Sequence, residues 1–195
     1  MKFMKTYKIQ TLNRNVFWTG DQHYFHRRFV ESKKRPAGID ALMISNHNSV
    51  VHPKDIVIHN GDVSLGNKDQ TIQLFKELKG HHIVVPGDHD RILEQLSGSN
   101  LFDLRPPIFK TKVGDHQIIN CHYLMTVWAR SHYNSWHTHA HVHGHLSGIG
   151  KTYDVGVENN NFYPIPLDEL IRIMEKRPNN LNYIIPEARN QWTKK

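Results

Sequence analysis

The sequence predicts a single domain of the α/β class, which some schemes would call α+β because its second half is rich in strands. Three observations support this prediction. Apolar runs alternate with helical patterns between residues 15 and 85, and a β-hairpin pattern follows between residues 108 and 121. The 195 residues are enough for one hydrophobic core, and no repeat or flexible linker divides them. The domain is expected to span residues 1–195, with its core at about 16–177.

Strands and helices are expected to alternate in the first half. The predicted order is a strand at 15–19, a helix at 40–50, a strand at 55–59, a helix at 68–78 and a strand at 83–85. Each strand is a short apolar run that is followed within two residues by a glycine. Asn67 can cap the second helix, and Gly80 can end it.

The second half is expected to contain mainly β-structure. The predicted elements are a hairpin of residues 108–113 and 117–121, further strands at Val142 and 153–157, and an amphipathic helix at 167–176. The tail, residues 178–195, is rich in Asn and Pro, and its pattern assigns no structure.

Composition excludes several classes of protein. Lys and Arg number 25 against 18 Asp and Glu, and the net charge of +7 favours polyanionic partners such as phosphate esters, nucleotides or nucleic acid. Cys121 is the single cysteine, which rules out a disulfide framework or a cysteine zinc finger and fits a reducing, cytoplasmic location. No run of 18 apolar residues is present, so no membrane span is expected. The oligomeric state is left open.

Acidic residues follow each of the three predicted strands of the first half. Asp21, Asp62 and Asp88 stand just beyond the strand ends, and His23 and His89 lie beside two of them. In an open α/β sheet, ligands bind where the loops at the carboxyl ends of the strands meet. Asp and His together suit divalent ions such as Mn, Zn, Fe or Ni. These strand ends therefore predict a metal site.

Later histidines can complete such a site. His122 follows a predicted strand, and the segment 137–145 carries a histidine at every second position. In an extended chain, His141 and His143 point to the same side and can enter one cluster together. The alternatives are a shifted register that uses His143 and His145, or a tract that binds metal without specificity.

Five blocks of residues, in order, resemble the pattern of the calcineurin-like metallophosphoesterases. The blocks are Asp21-Gln-His23, Gly61-Asp62, Gly87-Asp88-His89-Asp90, His122 and His141-Val-His143. The likeness runs from about residue 16 to 175 and is greatest to small single-domain versions from bacteria and their phages. The family resemblance implies a four-layer-type β-sandwich flanked by helices.

The same resemblance implies a dinuclear centre of two divalent transition-metal ions, Mn, Ni, Zn or Fe. Its implied ligands are Asp21, His23 and His143 for the first ion, Asp88, His122 and His141 for the second, and Asp62 as the bridge. The implied reaction is hydrolysis of phosphate esters, nucleotide-type phosphodiesters above all, by a hydroxide that bridges the ions. Phosphodiester and phosphomonoester substrates both stay open.

Three further residues receive roles from the resemblance. His89 would stabilise the transition state or protonate the leaving oxygen, and Asp90 would orient the His89 ring. His26 would reach the substrate. These are expectations about roles, and they require the three side chains to face the metal centre.

Two departures from the family pattern change the expected chemistry. Asp88 stands where the family has Asn, so an anion replaces a neutral amide; at about 4 Å and an effective dielectric of 20, this is worth on the order of 4 kcal/mol before compensation. Ala140 replaces a glycine before the His141–His143 pair. The charge of Asp88 is expected to repel phosphate and to hold metal more tightly. The alternative function is therefore a catalytically impaired family member that binds metal or nucleic acid.

Overall fold

In a computed structural model, the chain forms two mixed five-stranded sheets flanked by helices, described for residues 6–11, 14–32 and 35–189. The strands are β1 (Thr6–Ile9), β2 (Val16–Thr19), β3 (Ile56–His59), β4 (His81–Val84), β5 (Asp103–Leu104), β6 (Ile108–Val113), β7 (His116–Cys121), β8 (Trp136–His139), β9 (Thr152–Asp154) and β10 (Ile165–Pro166). The helices are α1 (Arg27–Glu31), α2 (Ile39–Val50), α3 (Lys68–Glu77), α4 (Arg91–Gln95) and α5 (Leu167–Lys176). The two ends of the expected domain, 1–5 and 190–195, lie outside the described residues.

The five elements predicted for the first half are confirmed as β2, α2, β3, α3 and β4, with bounds that differ by at most two residues. The cap of α3 is also confirmed. The Asn67 side chain accepts the Gln70 N–H at 2.9 Å, and the Gln70 side chain accepts the Asn67 N–H at 2.9 Å. This reciprocal pair satisfies two backbone donors that the first turn leaves free.

The first sheet has the strand order β10-β2-β3-β4-β5, with β2 to β5 parallel and β10 antiparallel at one edge. Every residue of β2 and β3 is buried, which explains why these strands are continuous apolar runs rather than alternating patterns. Because β2, β3 and β4 are parallel, their carboxyl ends meet at one edge of the sheet.

The second sheet has the order β1-β6-β7-β8-β9. Its antiparallel pair β6–β7 is the predicted hairpin, and the other pairs are parallel. Strand β1, which the sequence pattern does not indicate, pairs with β6 at the edge.

The two sheets pack face to face around one apolar core. Trp18 and Ile58 of the first sheet share this core with Ile118 and Trp136 of the second. A buried hydrogen bond from Trp18 Nε1 to Asn120 Oδ1, 2.8 Å long, joins the sheets. Burying each of these large side chains contributes about 1.5–3 kcal/mol. Helix α5 closes one end of the core.

Different structures cover the two outer faces. Met43, Leu74 and Leu93 from α2, α3 and α4 pack with Val84 in the apolar cluster on the outer side of the first sheet. On the second sheet, Trp128 from the loop 122–135 packs against His137 of β8, with ring centroids 5.1 Å apart. None of the helices in the described ranges has the length and apolar character needed to cross a bilayer.

Two expectations for the second half are corrected. Val142 lies in a turn and not in a strand, because β8 ends at His139 and the flanking residues His141 and His143 have left-handed backbone conformations. The strand predicted at 153–157 is β9, which ends at Asp154 because a 3₁₀ turn, Val157–Asn160, follows. The tail also packs on the protein: the buried Asn180 side chain donates to the carbonyls of Ser131 and Ser135 at 2.9 Å.

Candidate metal centre

The predicted ligands lie together at the edge of the sandwich, on loops that follow β2, β3, β4, β7 and β8. Among the described residues, four groups of three have their ligand atoms within 4.8 Å of one another. The groups are Asp21, His23 and His143; Asp88, His122 and His141; Asp21, Asp62 and His122; and His23, Asp62 and His89. The two sets of side chains predicted for separate ions thus form separate groups, with Asp62 between them.

Asp62 occupies the centre of this arrangement. Its Oδ2 lies 3.2 Å from His23 Nε2 and 3.5 Å from His122 Nε2, and its Oδ1 accepts the His89 backbone N–H at 2.9 Å. Burial alone would raise the pKa of Asp62, but its contacts with His23, His122 and the His89 backbone N–H outweigh burial and hold the pKa below its usual range. Asp62 is therefore an anion that faces both groups.

Backbone carbonyls fix the orientation of the two buried histidines. His23 donates from Nδ1 to the Asp21 carbonyl at 3.0 Å, and His122 donates from Nδ1 to the Asn60 carbonyl at 2.8 Å. Each ring therefore presents Nε2 to Asp62. Burial lowers the pKa of His122 and favours its neutral form, in which Nε2 carries a lone pair. A cation between such a nitrogen and a carboxylate satisfies both.

Asp21 gives the clearest test of whether these residues fit a metal. Its side chain is fully buried, and neither carboxylate oxygen has a hydrogen-bond partner among the described residues. The imidazole nitrogens of His122 and His143 approach these oxygens only to 4.0 Å. Burial raises the pKa of Asp21 to about 7, against the opposing effects of His143 and His23. An unpaired buried carboxylate is costly, so this donor set fits a cation.

The backbone at the ligands is unusual. Five of the seven predicted metal ligands adopt left-handed conformations, with φ between 47° and 69°. They are Asp21, His23, Asp62, His141 and His143. This conformation costs a non-glycine residue roughly 1–2 kcal/mol, and such strain clusters at functional sites. His141 and His143 thus meet the centre from a turn, and the expected extended strand is not formed there.

Small residues allow the loops to approach closely. A Cβ on Gly87 would lie 2.4 Å from Asp62 Oδ1, and a Cβ on Gly61 would lie 2.5 Å from His122 Nδ1. Neither position can therefore carry a larger residue without displacing a ligand. Ala140, which departs from the family pattern, fits because Gly20 lies opposite; a Cβ there would be 2.7 Å from the Ala140 Cβ.

Asp90 makes contacts that the sequence does not predict. Its buried carboxylate accepts the backbone N–H groups of Asp62 (2.7 Å), Gly87 (2.8 Å) and Val63 (2.9 Å). Asp90 therefore ties the Asp62 loop to the Gly87 loop through the main chain, and its predicted role in orienting the His89 ring stays a prediction. His89 itself is exposed, with its ring 5.6 Å from that of His23.

Sequence reasoning missed an ion pair that supports the first group. The buried Arg35 guanidinium donates to the carbonyls of Asp21, at 2.6 Å, and Gln22, and it pairs with Glu158. Glu158 Oε1 in turn lies 3.2 Å from His143 Nδ1. This contact raises the pKa of His143, although burial opposes the shift. Burial would also raise the pKa of Glu158, but His143 and Arg35 outweigh it and lower that pKa to about 2. The pair thus links two ligand loops from distant parts of the chain.

The second group is more open. The side chains of Asp88 and His141 are 44% and 46% exposed, and His141 Nδ1 lies 3.5 Å from Asp88 Oδ2. The Tyr123 hydroxyl, which sequence reasoning did not select, donates to Asp88 Oδ1. This hydrogen bond raises the pKa of Tyr123 to about 12. His122 is the one member of this group that is fully buried.

His26 and Phe29 form an aromatic wall beside the first group. Their rings stack with centroids 4.0 Å apart, and Phe29 lies 5.1 Å from the ring of His23. His26 Nδ1 also accepts the Phe29 N–H at 3.2 Å and so caps α1. His145, the member of the alternative register, is exposed and belongs to none of the four groups.

A second set of histidines lies behind the centre, within the protein. Gln22 donates from Nε2 to His59 Nδ1 at 2.7 Å, and His59 donates from Nε2 to His82 Nδ1 at 3.1 Å. His82 then donates from Nε2 to the Leu78 carbonyl at 3.3 Å. Burial lowers the pKa of both histidines, that of His82 to about 4, so both are neutral. This row of hydrogen bonds fixes the side chain of Gln22, the residue between Asp21 and His23 in the sequence.

Comparisons with known proteins give relatives without an assigned activity. No protein-family profile matches the chain. The uncharacterized protein MJ1445 of Methanocaldococcus jannaschii is 23% identical in an alignment of 176 positions that covers 84% of this chain and 93% of that protein. A protein of unknown function, AQ665 from Aquifex aeolicus, has a crystal structure that matches with a TM-score of 0.69 and 22% identity, covering 83% of this chain and all of that one. This likeness supports the fold alone.

Proposed function

We propose that the protein is a dinuclear metal-dependent phosphoesterase of the calcineurin-like type, a hydrolase that acts on phosphate esters. The observation that carries the proposal is the position of Asp62, whose one carboxylate faces His23 of the first group and His122 of the second. Asp21, with two unpartnered buried oxygens, adds a buried donor that fits a cation. The two packed sheets are compatible with the sandwich of that family.

The chain would hold two divalent ions through the side chains that the resemblance implies. Asp21, His23 and His143 would bind the first, Asp88, His122 and His141 the second, and Asp62 both. Such a pair of ions supplies charge for a phosphoryl group and lowers the pKa of a water molecule.

The remaining groups act on the substrate and on the ligands. His89 is exposed beside His23 and Asp62, where its imidazole can give a proton to the oxygen that leaves phosphorus. Asp90 keeps the Asp62 and Gly87 loops in register through three backbone hydrogen bonds. Arg35 and Glu158 hold the first group from behind.

Reconstitution with single metals tests this proposal. Metal-free protein is supplied with Mn, Ni, Zn, Fe or Mg, one at a time, and assayed with a chromogenic phosphodiester and a phosphomonoester. We expect turnover that requires added metal and that Asp62→Asn abolishes, since the variant keeps the shape of the side chain but loses the anion between the groups. Asp115→Asn, on an exposed turn, is the matched control.

The outcomes separate cleanly. Metal-dependent turnover in the wild type and in Asp115→Asn, with none in Asp62→Asn, supports the enzyme. Turnover without metal, or turnover that survives Asp62→Asn, contradicts it.

One observation favours a second candidate function, an impaired family member that binds metal or nucleic acid without turnover. Asp88 is a carboxylate at a position where an amide would leave the centre less negative, and it sits on the open side of the site. In that case the wild type would bind about two ions and hydrolyse no ester, and Asp88→Asn would restore turnover. An active wild type whose rate Asp88→Asn leaves unchanged would remove this candidate.

A further inference from the structure

A cavity of about 850 Å³ opens beside the candidate metal centre. His23 and His89 line its inner end, while α1 and the side chains of Leu65 and Gln70 form other walls. Cavities that hold small organic molecules have volumes of roughly 300–1,000 Å³. A phosphate group at the metal centre would leave most of this space empty, so the cavity is available to whatever the phosphate is esterified to.

The walls are largely apolar and aromatic. Phe25, Phe29, Val30, Ile39 and Leu65 all line the space. The stacked rings of His26 and Phe29 line the cavity beside the metal centre, 5.8 Å and 5.1 Å from the ring of His23. A flat ring would bury its faces against such walls, whereas a sugar or polyol would leave its hydroxyl groups unpaired there.

The polar side chains of the cavity carry charges of both signs. Arg27 and Arg28 are exposed at the rim, and the carboxylates of Glu31 and Asp40 oppose them. The charge of Arg35 is already matched by Glu158. Because the described lining residues, which exclude 33 and 34, have no strong net charge, they do not favour a second phosphate or a nucleic-acid backbone. Single donors and acceptors, such as His26 and Gln70, suit the ring heteroatoms of a neutral group.

We propose that this cavity binds the organic group of the phosphate ester, and that this group is a planar heteroaromatic ring of nucleobase size. The proposal rests on the proposed function for the position of the phosphate, but the ring site is a property of the cavity itself. Stacking of one base on aromatic side chains typically strengthens binding about tenfold or more.

A matched pair of probes tests the ring site by binding alone. Adenosine 5′-monophosphate and ribose 5-phosphate carry the same phosphate and sugar, and only the first carries a base. Titration calorimetry with manganese-loaded protein should give about tenfold tighter binding of the nucleotide. His26→Asn, which removes the ring but keeps a capping side chain for α1, and Phe25→Leu, which keeps an apolar side chain, should each lower that ratio several-fold. Tyr163→Leu, which removes an exposed ring from another cavity, should leave it unchanged.

Metal-free protein separates this inference from the proposed function. Adenosine, which has no phosphate, should still bind weakly and saturably, and His26→Asn should weaken it. Retained base preference in a protein that hydrolyses no ester would uphold the ring site while the enzyme proposal fails. Equal binding of the two phosphates, or a ratio that both His26→Asn and Phe25→Leu leave unchanged, would overturn the ring site even if the protein is an active phosphoesterase.

Discussion

The two halves of the candidate metal centre are built differently. The first site comprises Asp21, His23 and His143; the second comprises Asp88, His122 and His141; and Asp62 lies between them. In the first site, Asp21 and His23 are buried and Arg35 and Glu158 support the ligand loops from behind. In the second site, Asp88 and His141 are nearly half exposed, and Tyr123 contacts Asp88 at the rim.

This difference indicates that the fold fixes the ligands of the first site, whereas we expect metal to order the exposed ligands of the second. Ligands of the first site are fixed before any ion arrives, so binding there orders little chain. Two ligands of the second site face water, and ordering them opposes binding. We therefore expect the first site to bind its ion more tightly and the second to exchange its ion more readily.

Removing one carboxylate from each site gives the largest expected effect. Asp21→Asn should weaken the tighter of the two ions by roughly 1,000-fold or more, because direct ligands matter more than supporting residues, whose loss typically costs 10–100-fold. Asp88→Asn should leave that ion bound and change only the weaker one. Titration calorimetry with Mn²⁺ measures both, and equal effects of the two substitutions on both ions would contradict the comparison.

Removing the Arg35–Glu158 ion pair, which supports the first site, should lower the stability of the protein. Arg35→Met leaves the carbonyls of Asp21 and Gln22 without their donor and removes the guanidinium partner of Glu158, and we expect a loss of about 3–4 kcal/mol in the free energy of unfolding. The tighter ion should also bind about 10–100-fold more weakly. Urea denaturation and Mn²⁺ titration measure these quantities.

Arg172→Met is the matched control for this substitution. Arg172 is exposed and pairs with Asp168 and Glu169 within α5, so its loss should cost at most about 0.5 kcal/mol. If Arg35→Met were as mild as this control, the first site would not depend on the ion pair.

The buried histidines behind the first site should make the metal-free protein sensitive to acid. Since burial lowers the pKa of His82 to about 4, the unfolded chain takes up its proton near pH 6.5 while the folded protein does not. Stability is complete above pH 6.5 and is lost as the pH falls to 4, by up to about 3 kcal/mol for this one group. His82→Asn should reduce this loss, as measured by denaturation at several pH values. His81→Asn, at an exposed neighbour, should not; identical profiles for both variants would contradict the prediction.

The rim contact of the second site should have the smallest effect. Tyr123→Phe removes one hydrogen bond to the exposed Asp88 carboxylate, which then loses a fixed orientation. We expect the weaker ion to bind about threefold less tightly and the tighter ion to be unaffected. A change confined to the affinity for the tighter ion would contradict the prediction, because it would show that Tyr123 acts on the first site.

Local signals predict the part of the fold that positions the site. The apolar runs of β2 and β3 and the cap at Asn67 are read correctly, because burial on both faces and a capping box act within a few residues. Strand β1 is short and has a single buried residue, Ile9, so its pairing with β6 leaves little trace in the pattern. The strand predicted at Val142 was wrong because an alternation of His and apolar residues also fits a turn.

The groups at the site divide in the same way. The acidic residues at strand ends are visible because parallel strands bring their carboxyl ends together. Arg35 stands in a basic stretch of sequence that resembles a solvated surface, and its partner Glu158 is 123 residues away in the chain. The sequence pattern therefore does not indicate that either side chain is buried. Asp90 was assigned to its neighbour His89, whereas two of its three hydrogen-bond partners are main-chain amides of a loop 27 and 28 residues away. Long-range contacts of this kind exist only in the folded chain.

Anomalous diffraction from crystals grown with Mn²⁺ tests the central claim most directly. The account predicts two peaks about 3.5–4 Å apart on either side of the Asp62 carboxylate, with the peak beside Asp21 and His143 at the higher occupancy. Manganese bound only elsewhere, for example at His145, or no peak within reach of Asp62, would contradict it.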